Sequence, residues 1–164
     1  MSEIITPEPR EPAEKKTIEY PYMPEGAHFE FVPETNKFMA AAKAYAAKHS
    51  LAKPYPNASV LVLNGEIIGM GANGSNYHDE NGCRRKELRC KTGEGYELCE
   101  GCHPKNHSEP TAIRATTEAG KAMAGADLYL HGHWWCCEPC WNEMKKAGIK
   151  QVYLLEDAHE KFTK

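Results

Sequence analysis

Residues 107–140 read HSEPTAIRATTEAGKAMAGADLYLHGHWWCCEPC, and the rest of the chain is organised around this stretch. It opens on His107-Ser108-Glu109, runs through an alanine-rich helical pattern and closes on Cys137-Glu138-Pro139-Cys140. One imidazole and two thiols suit Zn²⁺, and three protein ligands leave its fourth position open, as a catalytic zinc requires. Glu109 stands two residues from the histidine, placed to act on a water at the metal without ligating it. Taken singly, these residues have plainer roles. His107 would be a loop histidine, Glu109 a partner for a helix N-terminus, and Cys137 with Cys140 core thiols or a redox pair. Three ligands, an acid and their spacing agree on the metal.

A His-x-Glu followed at a distance by Cys-x-x-Cys resembles the signature of the zinc-dependent cytidine and deoxycytidylate deaminases. Two registers compete at the cysteines. Glu138-Pro139-Cys140 looks like the Glu-Pro-Cys that precedes the family's first ligand, but that register puts the second ligand on Glu143. Pairing Cys137 with Cys140 also sets Ala147-Gly148-Ile149 where the family ends its helix, and this register is adopted; Cys136 then stands where the family normally has proline. Upstream, Ile68-Gly69-Met70-Gly71-Ala72-Asn73-Gly74 is similar to a deoxycytidylate deaminase motif whose asparagine touches the sugar, which implies a substrate-binding Asn73. The resemblance spans roughly residues 34 to 155. It implies a three-layer α/β/α fold with a mixed five-stranded sheet, a homo-oligomer, and one catalytic zinc on His107, Cys137 and Cys140. It also implies hydrolytic deamination of a cytosine ring. In that reaction Glu109 takes a proton from the attacking water, passes it to N3 and protonates the departing amine.

The chain of 164 residues is long enough for one domain with a substantial core. A net charge of −3 argues against a dedicated duplex nucleic-acid binder, which would show a strongly basic face. No apolar run approaches the ~20 residues that span a bilayer, and the N-terminus lacks a basic-then-apolar leader pattern. All seven cysteines fall between Cys83 and Cys140 alongside histidines, a spacing of metal sites and not of a disulfide framework. These features point to a cytoplasmic protein.

Residues 1–33 hold six of the eleven prolines among many Glu and Lys residues, the composition of a flexible tail preceding a deaminase domain over 34–164. Tyr20, Tyr22, Phe29 and Phe31 are its exceptions, suited to docking on the domain or a neighbouring subunit. A helix over 34–50 follows, then strands over Ser59–Leu63 and Glu66–Gly71 joined by the Asn64-Gly65 turn. Residues 72–106 form a polar insertion, too long for an ordinary connection. Its Cys83, Cys90, Cys99 and Cys102 can build a closed four-thiolate structural zinc site, with His78 or His103 able to replace one ligand; four unligated thiols is the other reading. Some viral deoxycytidylate deaminases are similar in carrying a second zinc in such an insertion. Beyond it the pattern predicts a helix over Ser108–Ala124, with Ala112, Ala115, Ala119 and Ala122 packing on a sheet and Gly125 as its stop. A strand at Leu128–Leu130, a helix over Cys137–Ala147 capped by Gly148, and a strand at Gln151–Leu155 complete the order.

For the substrate, the resemblance favours a cytosine nucleotide, dCMP converted to dUMP and ammonia. A phosphate needs cations, and Arg84, Arg85, Lys86, Arg89, Lys91 and Lys105 lie in the insertion, with Arg114 on the helix after it. Trp134 and Trp135 suit stacking on a base or packing in the core. The alternatives are a deaminase of free cytidine or deoxycytidine, or of a base in single-stranded nucleic acid. A non-catalytic zinc-binding module is the alternative from another class, though it has no need for Glu109.

Overall fold

Five strands, β1 (Phe29–Val32), β2 (Ala58–Leu63), β3 (Glu66–Ala72), β4 (Asp127–His131) and β5 (Gln151–Leu155), form one sheet in the order β1-β5-β4-β2-β3. They belong to a computed structural model that describes residues 18–53, 55–77, 81–91 and 94–163. The β2–β3 and β2–β4 pairs are antiparallel, whereas β4–β5 and β1–β5 are parallel. The helices are α1 (Lys37–His49), the single turn α2 (Arg84–Glu87), α3 (Ser108–Glu118), α4 (Glu138–Ala147) and α5 (Ala158–Phe162). Among the described residues no helix is long and apolar enough to cross a membrane.

Strand register assigns the two faces, because paired residues point to the same side. Ser59 and Leu61 of β2 pair with Gly71 and Gly69 of β3 and with Leu130 and Leu128 of β4, and this face carries α3 and α4. Val60 pairs with Met70 and Tyr129 on the opposite face, where the Phe38 ring of α1 lies 5.2 Å from that of Tyr129. Leu61, Leu128, Leu130, Leu154 and Met144 are buried between sheet and helices. The result is the expected three-layer α/β/α arrangement on a mixed five-stranded sheet.

Local chemistry explains the elements. Asn36 Oδ1 accepts from the Phe38 and Met39 amides and so caps α1, whose Met39, Ala42 and Ala46 are buried. Asn64 (φ 53°) and Gly65 (φ 79°) turn β2 into β3 as their sequence predicts. Gly148 (φ 81°) ends α4 at the expected place.

Two expectations are corrected. The fifth strand comes from the segment assigned to a tail over 1–33. Phe29–Val32 pairs in parallel with Val152–Leu155, and the buried Phe29 ring sits 5.5 Å from Trp141 and 5.1 Å from Tyr20. Proline-rich composition drew the boundary too late: four residues with aromatics on one face are enough to complete a sheet edge. Residues 1–17 of that tail lie outside the described residues. The second correction shortens α3, which ends at Glu118 and not at Ala124. Gly120 adopts φ 71°, and Lys121 N–H donates to the Thr116 carbonyl, closing the last turn before the alanine pattern runs out. Ala112 is buried, while Ala119 and Ala122 are exposed.

The helix α3 lies unusually close to β3. A Cβ on Gly71 would come within 2.3 Å of the Ala112 amide nitrogen, and one on Gly69 within 1.8 Å of Thr116 Oγ1. Gly71→Ala therefore pushes backbone against backbone and should destabilise by about 3 kcal/mol or prevent folding, the upper range for overpacking. Thermal or urea melts of purified protein measure this.

On the α1 face His131 is 8 % exposed, and neither ring nitrogen has a hydrogen-bond partner. Burial, with the nearby Lys161 and Lys43 charges, pushes its pKa down to about 4, against the opposing pull of Glu34 and Asp157. The unfolded imidazole takes its proton near pH 6.5. Stability is thus full above that pH and falls as the pH drops towards 4. One such histidine removes on the order of 1–2 kcal/mol by pH 5. Urea midpoints at pH 7.5 and 5 should show a smaller acid loss for His131→Leu than for the parent protein.

Candidate active site

The N-termini of α3 and α4 meet on one face of the sheet, and each delivers metal-ligand types. His107 occupies the cap position of α3, Cys137 that of α4, and Cys140 the first turn of α4. Their donor atoms form a triangle: His107 Nδ1 lies 3.4 Å from Cys140 Sγ and 3.5 Å from Cys137 Sγ, and the two sulfurs are 3.2 Å apart. A tetrahedral zinc with Zn–S of about 2.3 Å and Zn–N of about 2.0 Å sets such edges at roughly 3.8 Å (S–S) and 3.6 Å (S–N). The triangle suits that ion on widening, most at its S–S edge. Glu143, the ligand of the rejected register, instead lies 3.6 Å from Lys146 Nζ.

The turn that carries His107 is braced. Thr111 Oγ1 donates to the His107 carbonyl at 2.7 Å, and Arg114 donates to Thr111 Oγ1 and to the Lys105 carbonyl. The His107 ring also hydrogen-bonds the Cys102 backbone carbonyl, and the Tyr96 ring stands edge-on to it at 5.0 Å. Partners of this kind orient a ligating imidazole.

Proton affinities within the triangle are strongly split. Sharing of a proton with Cys140 holds the Cys137 thiol down to about 5, against burial and with help from His107. The same sharing, with burial, drives the Cys140 thiol far up. Burial disfavours the His107 cation, but its hydrogen bond to Cys137 and the Glu109 charge more than offset this and raise its pKa. Cys136 is buried beside them with its thiol pushed up by burial.

Glu109 is 4 % exposed, and its carboxylate is a hydrogen-bond partner of the Cys140 thiol. Ser108 Oγ donates to Glu109 Oε1 at 2.9 Å, and Ser59 Oγ lies 2.8 Å from Ser108 Oγ. Neither serine stands out in the motif. The sequence signal for Ser59 is a lone hydroxyl in the otherwise apolar ASVLVL strand. His133 is the other unassigned neighbour. Its Nδ1 accepts from the Trp134 and Trp135 amides at 3.0 and 3.2 Å, and burial, with His107 close by, pushes its pKa down to about 4. It parts from His131 because the strand ends between them. Trp135 is buried and Trp134 stacks on Tyr20 at 5.9 Å, so both belong to the packing.

Asn73 follows β3, next to Gly74, whose amide donates to the Asn106 carbonyl just before His107. Its side chain knits the preceding loop: Oδ1 accepts from Ser50 Oγ (2.5 Å) and the Asn57 amide (2.9 Å), while Nδ2 donates to the Tyr55 carbonyl (2.9 Å). In the insertion, Cys83, Cys99 and Cys102 gather, with Cys83 and Cys102 sulfurs 3.6 Å apart. Cys90 stands outside this group, beside Gly95. His103 Nδ1 accepts from the Lys105 amide, and His78 lies outside the described residues. Several expected phosphate-binding cations are engaged. Arg84 pairs with Glu87, Lys105 with Glu100, and Arg85 donates to the Glu94 and Lys91 carbonyls while lying 4.3 Å over the Tyr96 ring.

Known proteins place the chain. The cytidine and deoxycytidylate deaminase zinc-binding region matches residues 33–156. Among solved structures, the dCMP deaminase of cyanophage S-TIM5 in complex with dCMP and dUMP is 21 % identical, with 76 % of this chain and 86 % of that one covered at a TM-score of 0.50. Guanine deaminase from Bacillus subtilis is also 21 % identical, with 73 % and 62 % covered at a TM-score of 0.45. No curated protein matches the chain. With its family region spanning most of its length and both helix N-termini carrying the expected donors, the chain belongs to the cytidine and deoxycytidylate deaminase family and is a zinc-dependent aminohydrolase.

Proposed function

We propose that this enzyme hydrolyses a cytosine nucleotide, dCMP, to dUMP and ammonia. The observation that carries the reading is the meeting of a buried carboxylate, Glu109, with the His107–Cys137–Cys140 triangle at two helix N-termini. When bound, zinc supplies the Lewis acidity that makes a water nucleophilic near neutral pH. Glu109 takes the proton of that water as it attacks C4 and delivers it to N3; it then takes the proton of the new C4 hydroxyl and gives it to the departing amine. The carboxylate ends the cycle as it began, and the products are the uracil ring and ammonia.

Exposed Lys86 and Arg89 on the insertion support a phosphate-bearing substrate. Free deoxycytidine or cytidine is the second reading, favoured by the engagement of Arg84, Arg85 and Lys105 with other groups. Asn73 is read as the sugar contact, through the Nδ2 hydrogen not given to the Tyr55 carbonyl. Cys83, Cys99 and Cys102, with Cys90 as fourth ligand, are read as a second, structural zinc site. Exposed Phe31, Leu51 and Tyr55 suit contacts between copies in a homo-oligomer, and the free thiols suit a reducing, cytoplasmic compartment.

Zinc-loaded protein incubated separately with dCMP and deoxycytidine decides the substrate: turnover of dCMP alone supports the nucleotide, and turnover of deoxycytidine alone overturns it. Glu109→Ala should lose at least about a thousandfold in kcat while retaining its zinc, since one carboxylate serves every proton transfer. Metal analysis should give two zinc ions per chain, and one in Cys102→Ser. At the catalytic site His107 and the Cys140 thiol must each release a proton to bind metal. Apparent zinc affinity should therefore fall by about tenfold or more per pH unit as the pH drops below neutrality, read by chelator competition.

A further inference from the structure

The geometry points to Ser108 and Ser59 as positioning residues that fix the Glu109 carboxylate through a buried hydroxyl chain running from α3 to β2. The inference rests on the reading of Glu109 as the proton carrier. Both serines are 0 % exposed, and the chain is short at each link, 2.9 Å from Ser108 Oγ to Glu109 Oε1 and 2.8 Å from Ser59 Oγ to Ser108 Oγ. An ionised carboxylate only accepts. The single proton of Ser108 is therefore committed to Oε1, and its oxygen must accept from Ser59. That gives the chain one polarity.

The chain ends inside the sheet. Ser59 sits in β2 opposite Gly71 and Leu130, so no water route for protons leads through it. It is a brace and not an exit. Because Oε1 already holds a donor, the proton taken from water is directed to Oε2, and the same oxygen then hands it to the pyrimidine. A carboxylate free to rotate would divide that proton between two oxygens, only one of which serves the ring. The close approach at Gly71 makes the brace reachable. Without room for Ala112 against β3, the first turn of α3 would stand too far from Ser59.

Removing the hydroxyls leaves the buried Glu109 Oε1 without its donor, so a purely structural brace would lower stability, whereas a positioning brace lowers kcat at unchanged KM and zinc content. That makes the test clean. In zinc-loaded protein assayed on dCMP and deoxycytidine, Ser108→Ala should lower kcat by about 10–100-fold with KM and zinc content within about twofold of the parent. Ser59→Ala should lower kcat less, and the double variant no more than Ser108→Ala alone, because the chain acts as a unit. A crystal structure of zinc-loaded Ser108→Ala should show the Glu109 carboxylate in more than one rotamer. An unchanged kcat in Ser108→Ala, with Glu109→Ala inactive, overturns the brace and leaves the role of Glu109 standing. So does a single unaltered Glu109 rotamer, or a loss of activity that only follows a loss of zinc. If Ser108→Ala alone fails to fold, the double variant, which leaves no unpaired hydroxyl, gives the same readings. Turnover retained in Glu109→Ala overturns both proposals.

Discussion

The structure depends on how near α3 can come to the sheet. Two glycines on β3, Gly69 and Gly71, remove the side chains that would hold the helix off, and the helix backbone settles against the strand. That distance fixes where the first turn of α3 lies, and with it His107 and Glu109. The second helix N-terminus, at Cys137, is then placed by packing of α4 through Trp141 and Met144 on the same face. Three donor atoms from residues 30 to 33 positions apart come within hydrogen-bonding range through these two approaches. A wider gap at this one contact between helix and sheet would leave the donors unable to share an ion.

Much of this was legible in the residues. The His-x-Glu and Cys-x-x-Cys spacings, the Asn64-Gly65 turn, the Gly148 cap, and four of the five strands follow from local rules that the tertiary structure does not overrule. The glycines of β3 were visible only as part of a motif; their reason, an approach to Ala112, is a contact between distant segments. The misread places have physical causes. Phe29–Val32 was hidden by prolines on both sides, because composition averages over a window wider than a four-residue strand. The end of α3 was read too late because Ala122 to Ala124 are good helix formers, and one left-handed glycine outweighs them. The Ser59–Ser108–Glu109 chain joins residues 49 positions apart, beyond the reach of any spacing rule.

The insertion is more than an appendage. Tyr96 stands against the His107 ring, the Cys102 carbonyl takes that ring's hydrogen bond, and Arg85 lies over Tyr96 while donating to two carbonyls of its own loop. The segment that folds around Cys83, Cys99 and Cys102 thus supplies the outer support of His107. Disturbing the thiol cluster therefore reaches His107 directly, through the Cys102 carbonyl.

The edge strand β1 has a consequence for how the molecule is made. Among the described residues its strand partner is β5, and the Gln151 side chain donates to the His28 carbonyl from 123 residues along the chain. A strand that precedes α1 thus pairs with the one that follows all the other strands of the sheet. During synthesis Phe29 and its neighbours must wait as unpaired, apolar chain while α1, the hairpin and the metal-bearing helices take shape. Pairings of such long separation make folding slow, and the waiting segment is a ready template for wrong partners. The prolines and charges around it are of the kind that blunts an exposed sheet edge.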